Sequence, residues 1–268
     1  MSTTPTATNQ IAIERVLEDQ RAYEKRRGTK FGKGAEKLTA PLGNLISKIV
    51  PPELVKQALR FADKASGLTV PNEITSHDIN DLEACEKAAL TVQAWSQGTN
   101  AATGGAAGWF GAAGLTADIS ATIALAARNV RATGAAYGFT THSEAEETFR
   151  LAILEVATSM ASEKREKSIE GINDLARKLS DPKTKFILDK GGEWVTEKVV
   201  ERIARKLGIS LAGRKAGQVV PIIGGAVGAT VNASFQTDVS RAARYAFRQR
   251  WLMERKMLAH PRETREPL

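Results

Sequence analysis

GGAAGWFGAAGLTADIS, residues 104–120, decides the reading of this fold, because residues 224–240 repeat it as GGAVGATVNASFQTDVS. Overlaid without a gap, at an offset of about 120 residues, the copies pair Gly104 with Gly224, Gly108 with Gly228, Asp118 with Asp238 and Ser120 with Ser240. The match runs on to Ala126 with Ala246 and Arg128 with Arg248. Glycine and alanine agree by composition alone; the Asp, Ser and Arg positions do not.

Placed on a helix, each copy has a face. Gly104, Gly108, Gly111, Leu115 and Asp118 follow the four-three spacing of one stripe, as do Gly224, Gly228, Val231, Phe235 and Asp238. Glycine costs roughly 1 kcal/mol against alanine in a helix interior, so such a patch points to close helix–helix approach. The expectation is two tightly packed helices related by an approximate twofold, crossing at Gly104, Gly108, Gly111, Gly224 and Gly228. A buried carboxylate needs partners. Asp118, Asp238, Arg128, Arg248 and Asn232 therefore form the expected polar set, as a structural network or a ligand site. Were the helices antiparallel, Asp118 and Asp238 could approach and do acid–base work or hold a cation; the simpler role is pairing with arginine or capping a helix.

Taken in order, residues 1–10 read as a disordered tail, 11–259 as one helical domain and 260–268 as a flexible tail. Residues 11–27 are amphipathic, with Ile11, Val16 and Tyr23 on one side. The segment LGNLISKIV stops at Pro51-Pro52, which opens a further helix ending near Gly67. Residues 76–97 read as a helix with acids in its first turn. The first repeat runs to Ala136 and is broken by Gly134 and Gly138. Ser143 with Glu146 makes a capping box for a helix over 143–166. Gly171, Asp181-Pro182 and Gly191-Gly192 divide the next stretch into shorter helices, and 193–207 is again amphipathic. With no alternating strand pattern, the fold class is all-α.

The net charge is +8 and the pI about 9.6. That permits attraction to anionic lipid or nucleic acid, but no nucleic-acid-binding signature is present and nucleic acid is disfavoured as a partner. The most basic segment is the C-terminal helix, where Arg244, Arg248, Arg250 and Arg255 alternate with Tyr245, Phe247 and Trp251. A basic helix with an aromatic face can lie on an anionic membrane surface or against a membrane protein. Its alternative is to dock the aromatics on the core and leave the arginines in water. Residues 88–117 and 216–237 carry no charge, yet are rich in Gly, Ala, Thr and Asn, which argues against a membrane span. The lone Cys85 excludes an internal disulfide and reads as a buried, inert thiol.

Phosphate-loop, dinucleotide-binding and nucleophile-elbow motifs are missing, and FGKGAEK at 31–37 has the wrong spacing for a phosphate loop. His142 beside Glu144, Glu146 and Glu147 reads as an acid-rich helix start rather than a metal site. Neither a catalytic set, a metal site nor a cofactor is expected.

The blocks GWFGAAGLTADISATIALAARNVRATGAAYGF and RKAGQVVPIIGGAVGATVN, the latter leading into TDVSRAARYAFRQRW, resemble the EcsC protein family in order and spacing. The resemblance covers about residues 35–255 and leaves the N-terminal helix outside. It implies a bacterial, cytoplasmic accessory protein, peripheral on the inner face of a membrane and associated with an ABC transporter or secretion system. It implies no reaction and no catalytic residues. The function expected is thus non-enzymatic and regulatory at a membrane surface. The alternative is a module holding a lipid or apolar small molecule between helices lined by Gly, Ala and Ile. An enzyme using Asp118 and Asp238 is third.

Overall fold

The computed structural model describes residues 7–25, 70–108, 111–159, 162–190, 201–205, 207 and 221–258, with backbone alone at helical residues 7–10, 99–108, 111–120, 162–164 and 221–232. Among the described residues the regular structure is entirely helical: α1 (Ala7–Lys25), a 3₁₀ turn (Asn72–Ile74), α2 (Leu82–Gly108), α3 (Gly111–Ala136), α4 (Glu144–Thr158), α5 (Ser162–Ser180) and α6 (Pro221–Glu254), with further helical stretches at 182–190 and 201–205. The expected segments around LGNLISKIV, Pro51-Pro52, FGKGAEK, Gly191-Gly192 and most of 193–207 lie outside the described residues.

α6 is the axis of the molecule. It packs against α1, α2, α3, α4 and α5. Its buried residues include Phe235, Val239, Ala242, Tyr245, Phe247, Trp251 and Leu252. Ile123 and Val130 of α3, Phe149 and Ile153 of α4 and Leu82 and Val92 of α2 close the same core. Phe139, Phe149 and Phe247 meet in its middle, one pair stacked and the other edge-on.

Several boundaries have local causes. α3 ends where Gly138 takes φ +86°, with Phe139 N–H donating to Gly134 O and Gly138 N–H to Ala135 O, both at 2.9 Å. Those two bonds are the paired signature of a left-handed helix stop, which glycine enters without a Cβ penalty. Gly134, expected as a breaker, instead lies inside α3. A Cβ there would meet the Phe247 ring at 2.7 Å, so this glycine is a packing device. Gly171 likewise does not break α5, which runs through it. Asp181 does divide the chain: its Oδ2 accepts from Thr184 N at 3.1 Å, capping the 182–190 stretch, with Pro182 in the first turn.

Other boundaries differ from the expectation. α1 begins at Ala7, inside the segment expected to be disordered, and buries Ala12, Val16 and Gln20 while Ile11 stays 70% exposed. α2 starts at Leu82 rather than residue 76, because Asp78 and Asp81 hold turns, Asp81 Oδ1 accepting from Glu83 N at 2.9 Å. It then continues to Gly108, so Gly104 and Gly108 end α2 while Gly111 opens α3. The first copy of the repeat is thus divided between two helices, whereas the second is one unbroken helix. The helix expected over 143–166 is also two, α4 and α5.

α3 and α6 are not antiparallel, the arrangement under which Asp118 and Asp238 could approach each other. Gln236 Nε2 donates to Thr122 O at 3.4 Å, Asn129 Nδ2 reaches Gln236 Oε1 at 2.9 Å and Ser240 Oγ at 2.8 Å, and Gly134 lies against Phe247. Advancing along α3 advances along α6, so the two run parallel. α2 runs antiparallel to α6, through Gln97 with Thr237 and Glu86 with Arg248, and the turn before α2 continues the sense through Ile79 with Trp251.

Candidate functional site

The basic C-terminal helix carries its arginines inward. On one side Arg248 gives Nε and Nη2 to the two oxygens of Glu86, at 2.6 and 2.5 Å, and Nη1 to Gln20 Oε1 at 3.3 Å. Arg244 Nη2 shares Glu86 Oε2 at 3.1 Å, and the Tyr137 hydroxyl donates to Glu86 Oε1. One carboxylate from α2 therefore holds two guanidiniums from α6 and one phenol from the end of α3. Burial pushes the Glu86 carboxyl up, but the Arg248 hydrogen bonds, then the Arg248 and Arg244 charges, outweigh it and hold it below its usual range. Burial and the neighbouring Glu86 charge push the Tyr137 phenol up.

On another side Arg250 meets Glu146 of α4 with Nη1 and Nη2, at 2.6 and 2.7 Å, and Lys185 Nζ reaches the same carboxylate at 2.9 Å. The Arg250 guanidinium also lies 4.2 Å over Phe139 and 5.4 Å over Phe149. Burial again raises the Glu146 carboxyl, and the Arg250 and Lys185 interactions overcome it and leave it lowered. The Ser143 cap holds, its Oγ accepting from Glu146 N at 3.4 Å. The reciprocal half of the capping box is replaced, because the Glu146 side chain goes to Arg250.

This corrects the assignment of Arg248, Arg250 and Trp251 to a membrane or partner contact. All three are buried. Trp251 Nε1 donates to Ile79 O at 2.9 Å. Arg255 is half-buried, stacked 3.9 Å over Trp251 and bonded to Ile79 O and Asn80 Oδ1. Arg244 is also half-buried. Neither expected alternative describes the helix: its aromatics dock on the core, and Arg248 and Arg250 go in with them as ion pairs.

The expected polar set of Asp118, Asp238, Arg128, Arg248 and Asn232 is described only in part. Arg248 belongs to Glu86. Arg128 lies 3.8 Å over the Trp95 ring, in a cation–π contact between α3 and α2. Asp238 is buried, near Tyr23 of α1. Asp118, Asn232, Gly104, Gly108, Gly111, Gly224 and Gly228 are described by their backbone alone, and the expected side-chain contacts and glycine crossing lie outside the described residues. The charged residues missed by the sequence reading are Glu86 and Glu146. Glu86 shares the stripe of Leu82, Cys85, Ala89 and Val92, and an acid on an apolar stripe was the available signal. His142 faces Arg131, and among the described residues no cluster of acids, histidines and cysteine could hold a metal. Cys85 is buried, and burial pushes its thiol up to about 12, the inert state expected of it.

Outside the buried pairs lies an open groove between α1 and α6, about 400 Å³ in volume. Among the described residues, Lys25, Arg241, Arg244 and Arg248 line it, with Asp19 the single lining carboxylate. Its aromatic wall is Tyr23 stacked on Tyr245, ring centroids 4.7 Å apart. The Tyr245 hydroxyl donates to Glu24 Oε1 at 2.7 Å and accepts from Asn173 Nδ2 at 2.8 Å. Arg165 lies 4.5 Å over the outer face of this pair at Tyr23. The groove is polar and cationic, unlike the Gly/Ala/Ile-lined space expected for an apolar ligand.

A helical protein organised round one long central helix, with that helix's arginines tied to acids of its neighbours, is the class these features define. The chain belongs to the EcsC protein family, whose model matches residues 13–252. The match begins inside α1, so the N-terminal helix, expected to lie outside the family region, is part of it. Comparison with curated proteins and with solved structures gives no match.

Proposed function

We propose that this EcsC-family chain is a non-enzymatic accessory protein working at the cytoplasmic face of a membrane, beside a transporter or secretion system. No helix of the described residues is long and apolar enough to cross a bilayer, so the contact proposed is a peripheral one. The observation that carries it is the stretch 182–190, where Phe186 and Ile187 are 59% and 68% exposed. Its opposite side is anchored, by Leu188 against the core and by Lys185 on Glu146. Lys183 flanks the exposed pair, and Lys190 sits 4.5 Å over the Phe186 ring. An apolar tip with lysines at its sides suits an anionic bilayer surface. Full insertion of an apolar side chain contributes about 1.5–3 kcal/mol, and each lysine near an anionic surface about 1 kcal/mol. Together these support reversible attachment, the kind an accessory protein needs.

The test is co-sedimentation of the full chain with neutral and anionic vesicles at low and high salt. Binding to anionic vesicles that weakens in salt and is lost in F186S/I187S supports the reading. Binding to neither vesicle, or equal binding by the double variant, overturns it.

A further inference from the structure

We infer that the groove between α1 and α6 is a binding site for a phosphate group, free or as the headgroup of a lipid. Among the described residues, four cationic side chains line it against one carboxylate. Glu86, at the inner side of Arg244 and Arg248, is already shared by those two arginines. Arg248 is held by Glu86 and Gln20, with Asp19 3.7 Å away, so it is a fixed positive floor rather than a hand that closes on a ligand. Arg244 is held in the same way, by Glu86 at Nη2 and by Gln93 Oε1, 3.5 Å from Nη1, so it too presents a fixed charge to the groove.

Arginine forks match tetrahedral oxyanions with two parallel bonds, and lysine adds a mobile charge at the rim. Lys25 closes α1 at one edge of the groove and Arg241 lies one turn before Tyr245 and Arg244 on α6. The wall of Tyr23 and Tyr245 is rigid, stacked within and tied by Glu24 and Asn173 outside, so the cations are presented on a pre-set surface. Asp238 also acts on Tyr23, as Arg241 does, and Glu24 holds the Tyr245 hydroxyl, while among the described residues that line the groove itself the cations outnumber the carboxylates. The volume, about 400 Å³, suits a small polar group such as a phosphomonoester or a headgroup. The site involves neither Phe186 nor Ile187, and stands whether or not the 182–190 stretch meets a bilayer.

The experiment titrates inorganic phosphate into the full chain by calorimetry, and in parallel sediments it with phosphatidylcholine vesicles with and without phosphatidic acid. Both arms compare the wild type with K25Q/R241Q, two side chains outside the Glu86 cluster, and thermal melting verifies that the variant folds. R244K serves as a second variant that keeps a cation beside Glu86 but removes the guanidinium fork. Saturable phosphate binding, weakened about tenfold or more in K25Q/R241Q, assigns the site to a free phosphate compound. Phosphatidic-acid-dependent sedimentation that falls in the same variants, without binding of inorganic phosphate, assigns it to a headgroup. No change in either arm for folded K25Q/R241Q and R244K overturns the site. Vesicle binding lost in F186S/I187S but untouched in K25Q/R241Q would sink this inference while leaving the membrane reading standing.

Discussion

The Arg250 guanidinium and the Glu146 carboxylate face each other through two parallel bonds, with both side chains only 2% exposed. The pair joins α6 to α4 across 104 residues of sequence. Such a pair contributes little net stability against a well-packed apolar substitute, because both charges left water to form it. Breaking it is another matter, since one buried charge is then stranded.

Glu146→Ala and Arg250→Ala are therefore each expected to destabilise the protein by about 3–5 kcal/mol. A double replacement with apolar residues of similar volume, E146L/R250M, should recover much of that loss. Urea unfolding of the three variants decides it; additive losses in the double variant would show that the residues do not act as a pair.

Acid should loosen the same two clusters. Glu86 and Glu146 are both held below the ordinary value of 4.5 in the folded chain. A lowered folded value means the unfolded state binds the proton more readily, so the stabilisation is present above the ordinary glutamate range and is lost as pH falls through it towards the folded values. Melting temperature should drop from about pH 5 downward. The slope should be shallower in E86Q and E146Q, each of which removes one titrating group. An unchanged slope in both variants would mean that other carboxylates carry the acid sensitivity.

Two helical glycines should respond to alanine with opposite signs. At Gly171 a Cβ meets nothing within 4 Å, so Gly171→Ala should stabilise by up to about 1 kcal/mol through helix propensity. At Gly134 the Cβ would press into the Phe247 ring at 2.7 Å. Gly134→Ala should cost about 1–3 kcal/mol as the α3–α6 contact is forced apart. Thermal or urea unfolding of the two variants measures both signs, and equal effects would show that the ring moves aside freely.

Local features proved readable where the cause lies within a few residues. Gly138 ends α3 through its own positive φ, Ser143 caps α4 through the backbone three residues on, and Asp181-Pro182 divides two helices. Gly134 and Gly171 look the same in sequence as Gly138, but their meaning differs because only Gly134 lies under a ring and only Gly138 takes a left-handed backbone. The family blocks were equally legible, and they led to the right family with its N-terminal limit set too late.

The all-α class, these caps and the family membership come from the sequence by itself, because helix periodicity, capping and motif order are properties of neighbouring residues. Tertiary structure alone decided that α6 runs parallel to α3 and that Arg248 and Arg250 turn inward. An arginine beside an aromatic is compatible with a lipid surface, with water or with the core. The choice belongs to whichever carboxylate the fold delivers, and Glu86 and Glu146 arrive from 162 and 104 residues away. Without them the burial of two guanidiniums would be prohibitive; with them the most basic helix of the chain becomes its centre.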